Sequence, residues 1–393
     1  MRWFIVCLFI IGLAGCGGGG GPSASPSTPS CPPSSSSATN VISVCVDSGP
    51  LTTQREVNRL YTDITICEPG TSNCQTIDHV LVDTGSVGLR LLRDQMTVTS
   101  TNTSYFNCAR FLDLSYAWGS VVKLDLKLGS QTISALPVQL IGDSAAACAS
   151  GGYSPINSVQ DLGAKGILGI GLFEQDCGSA CVTGLTGQYY SCPSGGTCTG
   201  TTAPLVEQLQ NPIAMRSTDN NGFVIDLPAV SAPGASSLRG DLIFGIGTQA
   251  NNSMSGATIL QTNALGYVKT ELAGATYLES FIDTGSNGIY FDTPMSTCFS
   301  GNFYCPLRST SFTANMTGNG GSPTIPINFV VDNTRTLFDL GYTLLPTLAG
   351  PIGDRDIFDW GLPFYYGRKV FQGLSGKTTT TSGPSYTGPF IAF

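Results

Sequence analysis

From residue 41 onward the chain reads as short apolar stretches broken by turns. Segments 41–46, 61–66, 80–82, 121–128 and 133–141 carry the branched and aromatic residues that suit strands. Lys123-Leu124-Asp125-Leu126-Lys127-Leu128 alternates at period two, which predicts a half-exposed strand with its leucines turned inward. One helix is predicted in this half, over 203–215, with Pro204 near its start and Leu205, Val206 and Leu209 at helical spacing. The second half repeats the style, with strands expected at 222–227, 241–244, 277–282 and 325–331. The chain is therefore expected to be mainly β with few short helices.

Inside this pattern one motif occurs twice. Val80-Leu81-Val82-Asp83-Thr84-Gly85-Ser86-Val87-Gly88-Leu89 is answered by Phe281-Ile282-Asp283-Thr284-Gly285-Ser286-Asn287-Gly288-Ile289, 200 residues later in the numbering. Each copy is entered from an apolar strand and left through glycine and a branched aliphatic. Turn chemistry favours Asp and Gly, but it does not predict two copies with matching apolar flanks. The repeat points to two similar lobes, one over 41–221 and one over 222–393.

Composition narrows the chemistry. Of 393 residues only 11 % are charged, well below the ~25 % of an ordinary globular domain. The net charge of −8 offers no basic footprint for nucleic acid. A single histidine, His79, rules out a metal site built on several histidines, and it reads as a strand residue on the way to Asp83. No cofactor is expected. Among fourteen cysteines, Cys7 and Cys16 lie in or beside an apolar leader, which leaves twelve. An even number beyond an export signal reads as disulfides. Close spacing suggests clasps at Cys67–Cys74, Cys177–Cys181, Cys192–Cys198 and Cys298–Cys305, with Cys108–Cys148 and Cys31–Cys45 as the longer links left over. Spacing alone does not fix connectivity, and Cys177, Cys181, Cys192 and Cys198 also fall near zinc-ligand spacing.

Two carboxylates held close can hydrolyse a peptide bond without a metal. Like charges at short range do not both ionise cheaply, so the pair keeps one proton over a wide pH range. The ionised member serves as general base toward water and the protonated member as general acid toward the carbonyl oxygen. On this reading Asp83 and Asp283 are the catalytic pair. Gly85 and Gly285 permit a tight turn that aims backbone N–H groups at the carboxylates. Thr84 and Thr284 are placed to bond across the lobes, and Ser86 and Ser286 to hold their own aspartate.

These loops, in this order along the chain, resemble those of the two-lobed, pepsin-like aspartic peptidases. Several other segments resemble that family in the same order. Tyr61-Thr62-Asp63-Ile64-Thr65-Ile66 resembles its opening strand, and Tyr116-Ala117-Trp118-Gly119-Ser120 its flap hairpin. Gly166-Ile167-Leu168-Gly169-Ile170-Gly171 resembles the apolar segment behind the first loop, and Gly240-Asp241-Leu242-Ile243-Phe244-Gly245 the strand opening the second lobe. The resemblance implies a pseudo-twofold acid-protease fold, a monomer, an extended polypeptide substrate, and a lid in which Tyr116 and Trp118 meet that substrate. Departures are equally specific. Gly88 and Gly288 are not usual in that family, and Asp359-Trp360-Gly361 stands where two aliphatics and glycine belong. No basic prosegment precedes the first lobe. A catalytically silent member of the fold, binding peptide or glycan, is the alternative; such binders often lose an aspartate or the lid tyrosine, whereas Asp83, Asp283 and Tyr116 are all present. A third alternative is a surface protein with a structural or adhesive role.

The leader has a resemblance of its own. Met1-Arg2, an apolar run to Leu13, and Leu13-Ala14-Gly15-Cys16 resemble the signal peptide and lipobox of bacterial lipoproteins. The resemblance implies a signal over 1–15, lipidation of Cys16 and attachment to the membrane through that lipid alone. Gly17 after the cysteine leans toward the outer membrane. Residues 16–40, nearly all Gly, Ser and Pro, then read as a flexible tether.

Overall fold

The computed structural model describes residues 31–32, 34, 36–142, 148, 151–193, 197–379 and 384–393. Cys16, the signal and most of the tether lie outside these residues. The chain is mainly β, with three short α-helices, Val159–Leu162, Ser179–Thr183 and Thr334–Asp339, among the described residues.

The strands expected at 41–46, 61–66, 80–82, 121–128 and 133–141 all form. They are β1 (Val41–Val46), β2 (Tyr61–Cys67), β3 (Cys74–Asp83), β6 (Ser115–Leu128) and β7 (Gln131–Ile141), with β4 (Val87–Leu92) and β5 (Thr101–Arg110) between. In β6 the period-two reading holds for Leu124, Leu126 and Leu128, all buried, and for the exposed Lys127. Asp125 departs from it: its carboxylate is buried because it accepts from the backbone N–H groups of Gly70 and Ala135, at 2.9 and 2.7 Å.

The first large sheet does not stop at the boundary between the two halves of the sequence. β1 pairs antiparallel with Leu238–Phe244, and that strand with Gly222–Asp226. Lys369–Gly373 and Phe390–Ala392, from the end of the chain, extend the same sheet. A separate seven-stranded sheet carries the second loop, and its inner strand Ala275–Ile282 lies parallel to Ile357–Trp360. An aromatic stack fills it: Phe291 lies over Phe358 at 4.9 Å and Phe358 over Trp360 at 4.4 Å, with Phe312 and Phe329 packed edge-on.

The helix expected at 203–215 is absent. A single 3-10 turn, Leu205–Glu207, ends where Gln208 turns extended. Three competing bonds pull this backbone away from helical pairing. The Leu209 N–H donates to the Tyr189 hydroxyl at 2.7 Å, Gln210 bridges to Gln175, and the Asn211 N–H donates to the Glu174 carbonyl. Tertiary hydrogen bonds outweigh the modest propensity of a stretch interrupted by Pro204 and Pro212.

The four cysteine pairs suggested by close spacing are disulfides, and so are the two longer links left over, Cys108–Cys148 and Cys31–Cys45. Cys177, Cys181, Cys192 and Cys198 are therefore bonded in two pairs and not free to ligate zinc.

His79 sits in β3 at a bulge, with φ of +51°. Its Nδ1 lies 2.6 Å from Asp78 Oδ1 and its Nε2 3.4 Å from Asp47 Oδ2. Lys165 Nζ donates to both Asp78 oxygens, at 2.7 and 2.8 Å. Burial works against the charge of His79, but the Asp47 and Asp78 carboxylates outweigh it and push the ring up to about 9. Burial likewise opposes ionisation of Asp78, yet its bonds from His79 and Lys165 hold it down at about 2. A raised histidine contributes stability that is complete below its unfolded value of about 6.5 and is lost as pH rises through about 9. His79→Ala is therefore expected to lower Tm more at pH 6 than at pH 10. Equal losses at both pH values in thermal unfolding would show that His79 acts by packing alone.

Candidate active site

Each Asp-Thr-Gly loop leaves the end of a strand and returns beside that strand's parallel neighbour. β3 runs parallel to Gly166–Ile170, which places Asp83 opposite Gly169, and β4 comes back antiparallel on that strand's other side. In the second lobe Ala275–Ile282 runs parallel to Ile357–Trp360 and Ile289–Tyr290 returns antiparallel on it. Gly171 N–H donates to the Ser86 carbonyl and Leu362 N–H to the Ser286 carbonyl, each at 2.8 Å. The glycines behind the loops are needed for this closeness. A Cβ on Gly169 would lie 2.8 Å from the Gly88 carbonyl oxygen, and one on Gly361 2.0 Å from that of Gly288.

The shared Gly88 and Gly288 now have a reason. Gly88 has φ of +98°, and a Cβ there would meet the Leu209 side chain at 2.6 Å. At Gly288 a Cβ would crowd the Tyr290 ring at 3.2 Å.

The two loops are tied to each other by their threonines. Thr84 N–H donates to Thr284 Oγ1 at 3.2 Å, and Thr284 N–H donates to Thr84 Oγ1 at 3.0 Å. Each hydroxyl then donates to the opposite strand: Thr84 to the Ile282 carbonyl at 3.3 Å, Thr284 to the Val82 carbonyl at 2.7 Å. Tyr365 Oη stands 3.1 Å from Thr84 Oγ1. Thr84 and Thr284 are buried, so these bonds are shielded from water.

Within each loop the carboxylate is held by its own turn. Asp83 Oδ1 accepts from the N–H groups of Gly85 and Ser86, at 2.8 and 3.2 Å, and Oδ2 from the Ser86 hydroxyl. Asp283 Oδ1 accepts from Gly285 N–H at 2.8 Å and Oδ2 from the Ser286 hydroxyl at 2.9 Å. The carboxyl groups of Asp83 and Asp283 lie close enough for the charge of Asp83 to act on Asp283. The opposing glycines leave just enough room. A Cβ on Gly85 would lie 2.8 Å from the Asp283 carboxyl carbon, and one on Gly285 2.8 Å from Asp83 Oδ1. Part of Asp283 stays open to solvent. The protein packed round its carboxyl, and then the charge of Asp83, nevertheless push it up to about 8, against the smaller pull of the Gly285 and Ser286 bonds.

Six predicted loop residues and the two aspartates are thus brought to one place. Tyr116 and Trp118 are placed differently from Asp83 and Asp283. Both are buried in an aromatic cluster around the Cys108–Cys148 disulfide, where Trp118 stacks on Phe106 at 5.8 Å and meets Tyr190 edge-on at 5.1 Å. The tip of that hairpin is the turn between β5 and β6. There Leu112 and Leu114 are exposed and the Asp113 carboxylate acts on Tyr290 of the second lobe.

Asn58 and Arg59 carry no sequence signal, and Asp359 shows in the sequence only as a departure from the resembling family's pattern. Asn58, with φ of +50°, is buried between the lobes. Its amide donates to the carbonyls of Asn287 and Leu345, and its oxygen accepts from Leu345 N–H and the Tyr366 hydroxyl, all at 2.8–2.9 Å. Arg59 Nη1 reaches the Gly285 carbonyl at 3.5 Å while its Nε lies 3.6 Å from Glu56. Asp359 is buried beside the second loop. Among the described residues no group of three or more His, Cys, Asp or Glu side chains is placed to hold a metal ion.

A family model described as "Protein of unknown function (DUF3443)" matches residues 36–393. Among solved structures, the crystal structure of an aspartic proteinase from Irpex lacteus is similar over 90 % of this chain and 96 % of that one, at 13 % identity and a TM-score of 0.49. A search of curated proteins found no match.

Separating the carboxyls tests their coupling directly. In Gly85→Ala and Gly285→Ala the new methyl displaces the facing carboxyl. The Asp283 titration, followed through its infrared carboxyl band, is expected to move down from about 8 toward the ordinary carboxylate range. An unmoved titration in both variants would mean that burial alone raises it.

Proposed function

We propose that this chain, which belongs to the DUF3443 family, is an aspartic endopeptidase whose catalytic pair is Asp83 and Asp283. One observation carries the reading: duplicated loops turn two carboxyl groups toward each other, so that the charge of Asp83 acts on Asp283, while reciprocal threonine bonds hold the loops together.

The pair holds one proton between its two carboxyls, and any apparent pKa belongs to both groups. The ionised carboxyl takes a proton from a water held between them, and that water's oxygen attacks the scissile carbonyl carbon. The protonated carboxyl gives its proton to the carbonyl oxygen as the tetrahedral diol forms. Collapse of the diol re-forms the carbonyl and breaks the C–N bond. The departing nitrogen receives the proton taken from water, and the pair regains the one it lent. Ser86 and Ser286 fix the carboxylate rotamers, and the backbone N–H groups of Gly85, Ser86 and Gly285 hold one oxygen of each. In this reading the β5–β6 hairpin is the lid. Leu112 and Leu114 at its tip would meet apolar substrate side chains, while Tyr116 and Trp118 stiffen its base rather than line the cleft. The substrate is an extended polypeptide. Cys16 carries a lipid that anchors the protein to the bacterial cell envelope, in the outer membrane, and the segment behind it is the tether; intact-mass analysis of membrane-extracted protein reads that lipid directly.

The full chain, incubated with an unfolded protein between pH 3 and 9, is expected to cleave it and to be inhibited by pepstatin. Asp83→Asn and Asp283→Asn should each lose about 10²–10⁴-fold in kcat/KM. Because the chemistry needs the singly protonated pair, kcat/KM should fall on the alkaline side as that proton is lost. Cleavage that survives either substitution defeats the assignment. A well-folded wild type that binds peptide or glycan without cutting supports the silent binder instead.

A further inference from the structure

The two lobes hold the exits of their loops by different means. Val87-Gly88-Leu89-Arg90 corresponds to Asn287-Gly288-Ile289-Tyr290. Register agrees: Arg90 pairs with Ile167 and Tyr290 with Asp359, on the strands that run parallel beside each loop. In the second lobe the Tyr290 hydroxyl donates to the Asn287 side chain, a bond between two residues of the same exit. In the first lobe Arg90 Nη1 donates to the Val87 carbonyl at 2.8 Å and lies 3.5 Å from that of Gly88. A guanidinium has more than one arm, and the other one here leaves the loop.

Arg90 Nη2 stands 3.8 Å from Asp176 Oδ2, with the two side chains 2 % and 3 % exposed. Asp176 Oδ1 accepts from the Tyr189 hydroxyl at 2.7 Å. Its Oδ2 accepts from the side-chain amides of Gln188 and Asn107, at 2.7 and 3.0 Å. The Tyr189 hydroxyl accepts in turn from Leu209 N–H, and the Leu209 side chain is the one that closes over Gly88. Burial pushes the Asp176 carboxyl up from its ordinary value, and the Arg90 charge and these three donors pull it back.

Asn107 belongs to β5, one strand of the hairpin proposed as the lid. Gln139 lies opposite Arg90 in the pairing of β4 with β7, and it donates to the carbonyls of Asn107 and Ala117 at 2.7 and 3.1 Å. Asn107 pairs with Gly119, and Ala117 with Ala109, where β5 and β6 form the base of that hairpin. Asn107 and Gln139 are both fully buried. A row of buried polar side chains therefore runs from the exit of the first loop to both strands of the hairpin, with Arg90 and Asp176 at its head. Stability alone does not call for charges there. Apolar side chains of similar volume often serve a core as well, whereas a bonded, charged pair accepts few geometries.

We propose that Arg90 is a positioning residue that couples the first catalytic loop to the β5–β6 hairpin through Asp176. The inference rests on reading Asp83 and Asp283 as the catalytic pair and that hairpin as the lid. Arg90 acts on Asp83 through the Val87 carbonyl, and on the hairpin through Asp176 and Asn107. A polypeptide held under the lid is then felt at Asp83 by a route that the second loop lacks, since Tyr290 spends its hydroxyl on Asn287.

The test uses the full chain with Arg90→Met and Asp176→Asn together, which removes both charges and leaves neither buried alone. Hydrogen exchange read by mass spectrometry should quicken about tenfold at residues 84–92 and at 106–119, with 284–292 unchanged. This readout needs no cleavage. In cleavage assays kcat should fall about tenfold as Asp83 is less well held, and KM should rise as the lid loosens. If the double variant folds poorly, Asp176→Asn alone, which keeps the side chain's shape, should give the same two exchange changes in smaller measure. Exchange that stays as in the wild type, quickens in only one of the two segments, or quickens equally at 284–292 overturns the proposal. So does an unchanged kcat in a variant that cleaves. A wild type that never cleaves, beside a variant with both exchange changes, fails the peptidase reading and leaves the coupling in place.

Discussion

Two carboxyl groups that repel one another have to be held in contact, and most of the architecture around residues 83 and 283 answers that requirement. The repulsion is balanced by neutral hydrogen bonds that water does not reach. The reciprocal bonds of Thr84 and Thr284 do this with four links, each donated from one lobe to the other. Buried hydrogen bonds of this kind are costly to break because the freed groups find no new partner. Asn58 adds a second clasp at the edge of the same interface, with every polar atom of its amide engaged.

The sheets supply the leverage. Each loop is gripped between a parallel and an antiparallel neighbour on one short strand, so its ends cannot drift apart. Glycine is required where that strand passes under the loop, because any side chain on Gly169 or Gly361 would strike backbone. β1 and the two strands that follow from residues 222–244 then carry a common sheet across both halves. The aspartates sit at the junction of elements that are rigid for independent reasons, which is the setting in which two like charges can be kept close.

The asymmetry of the pair is as informative as its symmetry. Ser86 and Ser286 each hold their own aspartate, but the strand beside the first loop carries Ile167 where the strand beside the second carries Asp359. An aliphatic residue behind one loop and a carboxyl behind the other make the lobes electrostatically unequal, although their backbones follow the same path. The Asp-Trp-Gly segment, a misfit when read as a copy of Ile-Leu-Gly, is the source of that inequality.

Much of this was legible in the chain itself. Apolar runs and turns located the strands because a strand's pattern is local, with a period of two that side-chain burial enforces. The repeated Asp-Thr-Gly-Ser identified both aspartates and their supporting hydroxyls, and close cysteine spacing suggested the clasps. What needed the tertiary structure was whatever depends on distant partners. The 203–215 segment has helical spacing, yet Tyr189, Gln175 and Glu174 claim its backbone. Trp118 had the position of a lid residue, but Phe106, Tyr190 and a disulfide bury it. Asn58 carries no motif, because its importance comes from Asn287, Leu345 and Tyr366, more than 200 positions away in sequence. Sequence determined which groups are available and how each strand faces. Only the folded chain decided which of them face one another, since that depends on burial and on residues brought together from distant parts of the chain.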